Sequence, residues 1–180
     1  MAANTIGTVL ITEEQIKARA KEIGAQISEE FAGEEVMLIG ILKGALLWMA
    51  DVMKSITLDC TIDFMACSSY GSSTKTSGVV KINKDLDSDI EGKNVIIVED
   101  IVDSGITLSY LEKYLANRGP KTIKLCTLLD KPAGRRSDVE ADYVGFEVED
   151  LFIIGYGLDY DQYYRNLPYI GVLKKSIYEK

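Results

Sequence analysis

Histidine is absent from this 180-residue chain, and that gap removes whole classes of chemistry. Without imidazole there is no Ser-His-Asp or Cys-His catalysis, no histidine zinc site and no HExxH metalloprotease. Proton transfer near neutral pH then falls to a carboxylate, lysine, tyrosine or cysteine. Cysteine is scarce too. Cys60, Cys67 and Cys126 form an odd, scattered set without a CxxC pair, which reads as core thiols in a reducing compartment. No run of about 18 apolar residues reads as a membrane span. The stretch Met1 to Leu10 has neither the basic start nor the apolar run of an export signal, so a cytoplasmic protein without a membrane partner is expected. Positive charge is also in deficit: 20 basic against 28 acidic side chains give a net −8. That excludes a generic nucleic-acid surface, which needs clustered Lys and Arg. It leaves open a small phosphorylated molecule held locally by backbone amides and a metal.

What is present is an ordinary globular composition, 47% hydrophobic and 27% charged, at a length that suits one compact domain. Thr12-Glu13-Glu14-Gln15 reads as a capping box, followed by Ile16, Ala20, Ile23, Ile27 and Phe31 at helical spacing, with Gly33 as the stop. The apolar run Val36 to Leu42 predicts a strand covered on both faces, and Ala45 to Met53 a helix returning across the sheet. Cys60, Ile62, Phe64 and Ala66 alternate with Thr61, Asp63 and Met65, the pattern of a half-buried strand. Further strands are expected at Val79 to Asn83, Asn94 to Val98, Thr122 to Leu129, Tyr143 to Val148 and Phe152 to Ile154, with a helix over Ile106 to Asn117. This alternation predicts a parallel α/β sheet with right-handed crossovers. No internal repeat appears.

The most informative stretch is Val95-Ile96-Ile97-Val98-Glu99-Asp100-Ile101-Val102-Asp103-Ser104-Gly105-Ile106-Thr107. Four apolar residues place it at the sheet centre, so its carboxyl end opens where such sheets bind ligands. The turn that follows enters a helix and carries two hydroxyls, Ser104 and Thr107, which makes a ready anion cradle. Three carboxylates beside an anion site are costly unless a cation shares the space. A magnesium-bearing sugar phosphate meets both needs. The plainer alternative is a helix cap with solvated acids.

VEDIVDSGITL (residues 98–108) resembles the phosphoribosyl pyrophosphate (PRPP) signature of the type I phosphoribosyltransferases. Leu42-Lys43-Gly44, Ser69-Tyr70, Leu129-Asp130-Lys131-Pro132 and the stretch from Tyr143 to Tyr160 resemble the hypoxanthine-guanine branch of that family. The matches run from about Leu10 to Leu173. The resemblance implies a single phosphoribosyltransferase domain over 1–180: a central, mainly parallel sheet flanked by helices, a small C-terminal hood (about 130–173) and a mobile lid loop (about 68–78). The lid composition alone, Ser68 to Gly78, reads as a linker. The implied reaction displaces pyrophosphate from the anomeric carbon of PRPP by a 6-oxopurine, giving IMP or GMP.

Residue roles follow from the same resemblance. Asp103, Ser104, Gly105, Ile106 and Thr107 would hold the 5′-phosphate, and Glu99 and Asp100 the ribose hydroxyls. Asp103 is the matched catalytic base. Lys43, Gly44 and Arg165 would bind pyrophosphate, in a loop that can carry a non-proline cis peptide, here considered at Lys43-Gly44. Lys131 would donate to the purine oxygen, since an ammonium cannot accept and leaves an amino group badly paired. Phe152 would stack on the base, Ile153 would offer its carbonyl, Asp159 would belong to the purine site as well as to the metal, and Ser69 and Tyr70 belong to the lid. Magnesium (Mg2+) is implied as cofactor, with Glu99, Asp100 and Asp159 near it, and a homodimer or homotetramer as assembly. Position 106 is often basic in the family and is Ile106 here, which shifts the cradle toward amides and hydroxyls. Read singly, Lys43, Lys131, Phe152 and Arg165 are ordinary surface or core residues. Rival readings are a PRPP-sensing regulator of the same fold that binds nucleic acid, a phospho-acceptor receiver domain, and a transferase for another base such as xanthine. The receiver lacks support, because its acid pair belongs near a first strand and Val36 to Leu42 carries none.

Overall fold

A computed structural model describes residues 6–69 and 80–178. Nine strands and four helices follow one another as β1 (Ile6–Ile11), α1 (Glu13–Glu30), β2 (Val36–Leu42), α2 (Leu46–Met53), β3 (Cys60–Ser69), β4 (Val80–Lys84), β5 (Asn94–Val102), α3 (Ile106–Ala116), β6 (Thr122–Asp130), β7 (Tyr143–Glu147), β8 (Ile153–Ile154), β9 (Ile170–Leu173) and α4 (Lys175–Tyr178). The expected capping box forms: Gln15 N donates to Thr12 Oγ1 at 3.3 Å and Thr12 N to Gln15 Oε1 at 2.8 Å.

Six strands make the main sheet in the order β4-β3-β2-β5-β6-β7, parallel throughout except for β4. The apolar runs in β2 and β5 are buried on both faces because helices cover both. Ile16, Ile23 and Ile27 of α1 and Trp48 of α2 pack with Leu38 and Ile96 on one side. Leu108, Leu111 and Leu115 of α3 pack with Ile39, Ile97 and Leu125 on the other. A second, antiparallel sheet, β1-β9-β8, forms the hood over the carboxyl ends of the main strands.

The structure corrects the sequence expectations at three places. In β3, Ile62 is 45% exposed while Asp63 is buried. The Asp63 carboxylate accepts from the amides of Phe64 (2.7 Å), Asp87 (2.9 Å) and Ser88 (2.9 Å), which replaces the water it loses. The hood is not C-terminal alone: β1 supplies one of its strands, while β7, inside the stretch assigned to the hood, is an edge of the main sheet. The non-proline cis peptide lies at Leu42-Lys43, one bond before the position considered.

Candidate active site

The carboxyl ends of β2, β3 and β5 open on one side of the sheet, beneath the hood, and a cavity of about 480 Å³ lies there. Its walls include Lys43 and Gly44 after β2, Glu99 and Asp100 on β5, Asp103, Ser104, Gly105 and Thr107 in the turn after β5, and Asp159 and Arg165 from the hood. Most residues singled out in the sequence thus meet around one space. Ile106 opens α3, Lys131 reaches the lining residue Asp103, and none of Ile106, Lys131, Phe152 and Ile153 is itself in the lining. For Ser69 only the backbone, as the end of β3, is described; Tyr70 and the rest of the expected lid lie outside the described residues.

The turn after β5 is shaped by Gly105, whose φ of +73° is a left-handed conformation that suits a residue without Cβ. Gly105 is also the N-cap of α3 and has no side chain with which to close it. The Ile106 amide donates to Ser104 Oγ at 3.5 Å, so at the start of α3 the hydroxyl of Ser104 stands where a capping Asp103 carboxylate was the plain alternative. The first-turn amides of α3 face the cavity end of the helix, where an anion is favoured.

Burial sets the charge state of the acids. The Asp100 carboxyl is pushed up to about 6, mainly by burial and further by Asp159, while backbone amides and the Arg165 guanidinium pull it back. Glu99 is raised well above its ordinary value by burial and by the neighbouring Asp100. There is no space between Gly44 and Asp100: a Cβ at position 44 would overlap the Asp100 carboxylate. Across the cavity, Arg165 donates to Gly157 O at 2.6 Å and pairs with Asp159 at 2.6 Å. Its Nε is buried without a partner among the described residues, an unspent donor. Gln162, which sequence reasoning overlooked, accepts from both cations, Lys43 Nζ at 3.1 Å and Arg165 Nη2 at 3.4 Å. No pattern marks a lone glutamine in a turn as a bridge.

Lys131 is 13% exposed at its side chain, so it is not the solvated turn residue that its sequence setting allows. Its ammonium pairs with Asp150 at 2.6 Å and stands 3.9 Å from the Asp103 carboxylate. Phe152 is 38% exposed. Its ring stacks on Tyr178 at 4.8 Å and meets the edge of Tyr160 at 5.5 Å. Tyr178 is a second residue that sequence reasoning missed, since nothing local to the C-terminal stretch joins it to Phe152. Ile153 is buried in β8 opposite Val172. Cys67 also lines the cavity, where burial and Glu99 push its thiol up to about 11, away from the reactive thiolate.

No group of three or more acidic or cysteine side chains is set to cage a metal among the described residues. Asp100 and Asp159 nevertheless both line the cavity, and Asp159 helps to raise the Asp100 carboxyl. Such a set suits a hard cation that keeps waters and takes its remaining ligands from a substrate.

Comparison with known proteins agrees with this geometry. The phosphoribosyl transferase domain model matches residues 10–161. The hypoxanthine-guanine phosphoribosyltransferase of Bacillus subtilis is 55% identical over 99% of this chain and 99% of its own length. That of Mycobacterium bovis is 49% identical over 97% of this chain and 89% of its own. A crystal structure of a hypoxanthine phosphoribosyltransferase from Staphylococcus aureus superposes with a TM-score of 0.97 at 46% identity, covering 99% of this chain and 97% of that one. On sequence, fold and cavity alike, the chain belongs to the phosphoribosyltransferase family, in its hypoxanthine-guanine branch.

Proposed function

We propose that this protein transfers the 5-phosphoribosyl group of PRPP to hypoxanthine or guanine, releasing pyrophosphate and forming IMP or GMP for purine salvage. The observation that carries the reading is the joint placement, around one cavity, of a glycine turn, four acids and two cations drawn from distant parts of the chain. A receiver domain has no use for the Lys43–Arg165 pair. A nucleic-acid regulator would need a basic surface that a chain at −8 lacks.

In this reading the turn from Asp103 to Thr107 holds the 5′-phosphate through amides and hydroxyls, with Ile106 adding only its backbone. Lys43, the Gly44 backbone and Arg165 hold pyrophosphate, with the free Arg165 Nε as one donor. Glu99 and Asp100 take the ribose hydroxyls. As the anomeric C–O bond to pyrophosphate breaks and the bond to the purine nitrogen forms, Asp103 accepts the proton that the ring nitrogen loses. Lys131 stands beside Asp103, so an oxygen acceptor and a ring N–H on one purine edge can be met together. Its donor-only ammonium favours a 6-oxopurine over adenine. Phe152 stacks on the base, backed by Tyr178, and Ile153 offers its carbonyl to the pyrimidine edge. Ser69 and Tyr70 begin a lid over the pyrophosphate side.

Magnesium, when bound, neutralises pyrophosphate charge; Asp100, Asp159 and Glu99 would hold it with substrate oxygens and water. The three cysteines are free thiols, which suits a reducing cytoplasm. Among the described residues no helix is long and apolar enough to cross a membrane. A homodimer or homotetramer is the assembly we propose, by the family resemblance.

Incubating the protein with PRPP, magnesium and each of hypoxanthine, guanine, xanthine and adenine, and following nucleotide and pyrophosphate, tests the reading. Product is expected with the first two bases. Product from neither refutes the function, and turnover of xanthine alone moves the chain to another branch.

A further inference from the structure

Against the glycine turn runs the segment that follows β6. It is joined to the turn at three successive carbonyls. Val102 O accepts from Lys131 N at 2.9 Å and from Arg135 Nη2 at 3.4 Å. Asp103 O accepts from Arg135 Nε at 3.0 Å. Ser104 O accepts from Arg136 N at 2.9 Å and Ser137 Oγ at 3.2 Å. The guanidinium is itself fixed from behind, Nη1 on Val139 O and Nη2 on the Asp130 carboxylate. Its side chain is 18% exposed and that of Asp130 20%.

Peptide planarity gives this pattern a consequence. In a trans peptide the C=O and the following N–H point in opposite directions. Carbonyls of residues 102, 103 and 104 held by this segment therefore turn the N–H groups of Asp103, Ser104 and Gly105 away from it. Three successive amides aimed one way form an anion-binding concavity, and without the clamp a short loop beside three acids would be free to flip its peptides. We propose that Arg135 is a positioning residue for the phosphate turn: one rigid fork of donors fixes two of its three carbonyls, with Ser137 assisting at the third. The same segment begins with Lys131, so the purine donor and the phosphate turn are set by one piece of chain. Lysine at 135 could not reproduce this, because a point-like ammonium cannot span the four acceptors that the guanidinium fork reaches. The inference rests on the reading above that the turn receives the 5′-phosphate.

PRPP affinity by calorimetry, without base, tests this separately from turnover. We compare the parent with Arg135→Gln, Arg135→Lys, Arg135→Ala and Ser137→Ala, recording Tm and steady-state constants alongside. The expected result is a rise in Kd and KM for PRPP of about tenfold to a hundredfold for each Arg135 variant, from two or three lost hydrogen bonds. Ser137→Ala should give a smaller rise, and millimolar guanidinium should partly restore PRPP binding to Arg135→Ala. A purely structural role would lower Tm while leaving the PRPP constants of the folded protein within twofold and unresponsive to guanidinium. That result overturns the proposal. Should the Arg135 variants fail to fold, Ser137→Ala decides: PRPP affinity equal to the parent's overturns it. A parent that binds PRPP but makes no nucleotide refutes the proposed function and leaves the clamp under test. A parent that does not bind PRPP refutes both.

Discussion

At the scale of single residues, the protein keeps a costly pair at the centre of its site. Asp100 ionises at about 6 instead of near 3.8 because burial disfavours its charged form. A carboxyl harder to ionise when folded than when unfolded costs stability as pH rises from about 4 to 6, and that cost stays constant above. Asp100→Asn removes it. The variant should melt higher than the parent at about pH 8, by on the order of 5 °C, with the gain shrinking as pH falls through 6. Nucleotide formation should be lost in the same variant. Thermal melts across that range check this; a variant that melts lower at pH 8 would show that the carboxylate is well accommodated without substrate. The Glu99–Asp100 step itself was visible in the sequence, because charged residues directly after four apolar ones stand out. The roles of Gln162 and Arg135 were not. Their partners lie in other parts of the chain, and loop composition says nothing of which carbonyl a side chain will reach.

At the scale of elements, the hood turn is tied to the helix that follows the Lys43–Gly44 loop. Tyr156 donates its hydroxyl to the Asp51 carboxylate, with Leu47 O at 3.5 Å. Asp51 also pairs with Lys54 at 2.5 Å, and together these hold its carboxyl below the ordinary range despite burial. A lowered acid contributes stability that is present above its ordinary value near 3.8 and is lost below it, as pH falls through the lowered folded-state value. Tyr156→Phe should therefore cost about 1–2 kcal/mol at neutral pH, with a smaller defect at about pH 3 and below. Denaturant titrations at the two values measure this, and an equal defect at both would separate the hydroxyl from the Asp51 charge. Elements with strong periodicity or continuous apolar runs, α1, β2, β5 and α3, were legible from sequence. The β1 and β9 strands were not, being short and meaningful only once paired with each other across the chain. The buried face of β3 misled for a related reason. Asp63 looks like a surface residue until the amides of the loop at Asp87 and Ser88 satisfy it.

At the scale of the whole molecule, we propose that residues 1–180 form one cooperative unit. The sole tryptophan, Trp48, is fully buried between α1, α2 and the main sheet, so its fluorescence reports the core. Far-UV circular dichroism reports both sheets. The two signals should give one coincident unfolding transition, and a circular dichroism phase at clearly lower denaturant would mark the hood as a separate unit. The hood sheet joins Ile6–Ile11 to Ile170–Leu173, so its central pairing spans almost the full chain and closes the longest loop the molecule contains. During synthesis the Arg165 wall of the cavity must wait for the last strand to leave the ribosome, whereas β2, β5 and their helices can assemble long before. A nascent chain would thus carry the turn for a phosphate well ahead of the roof that retains it, and the cavity closes only once β9 has been made.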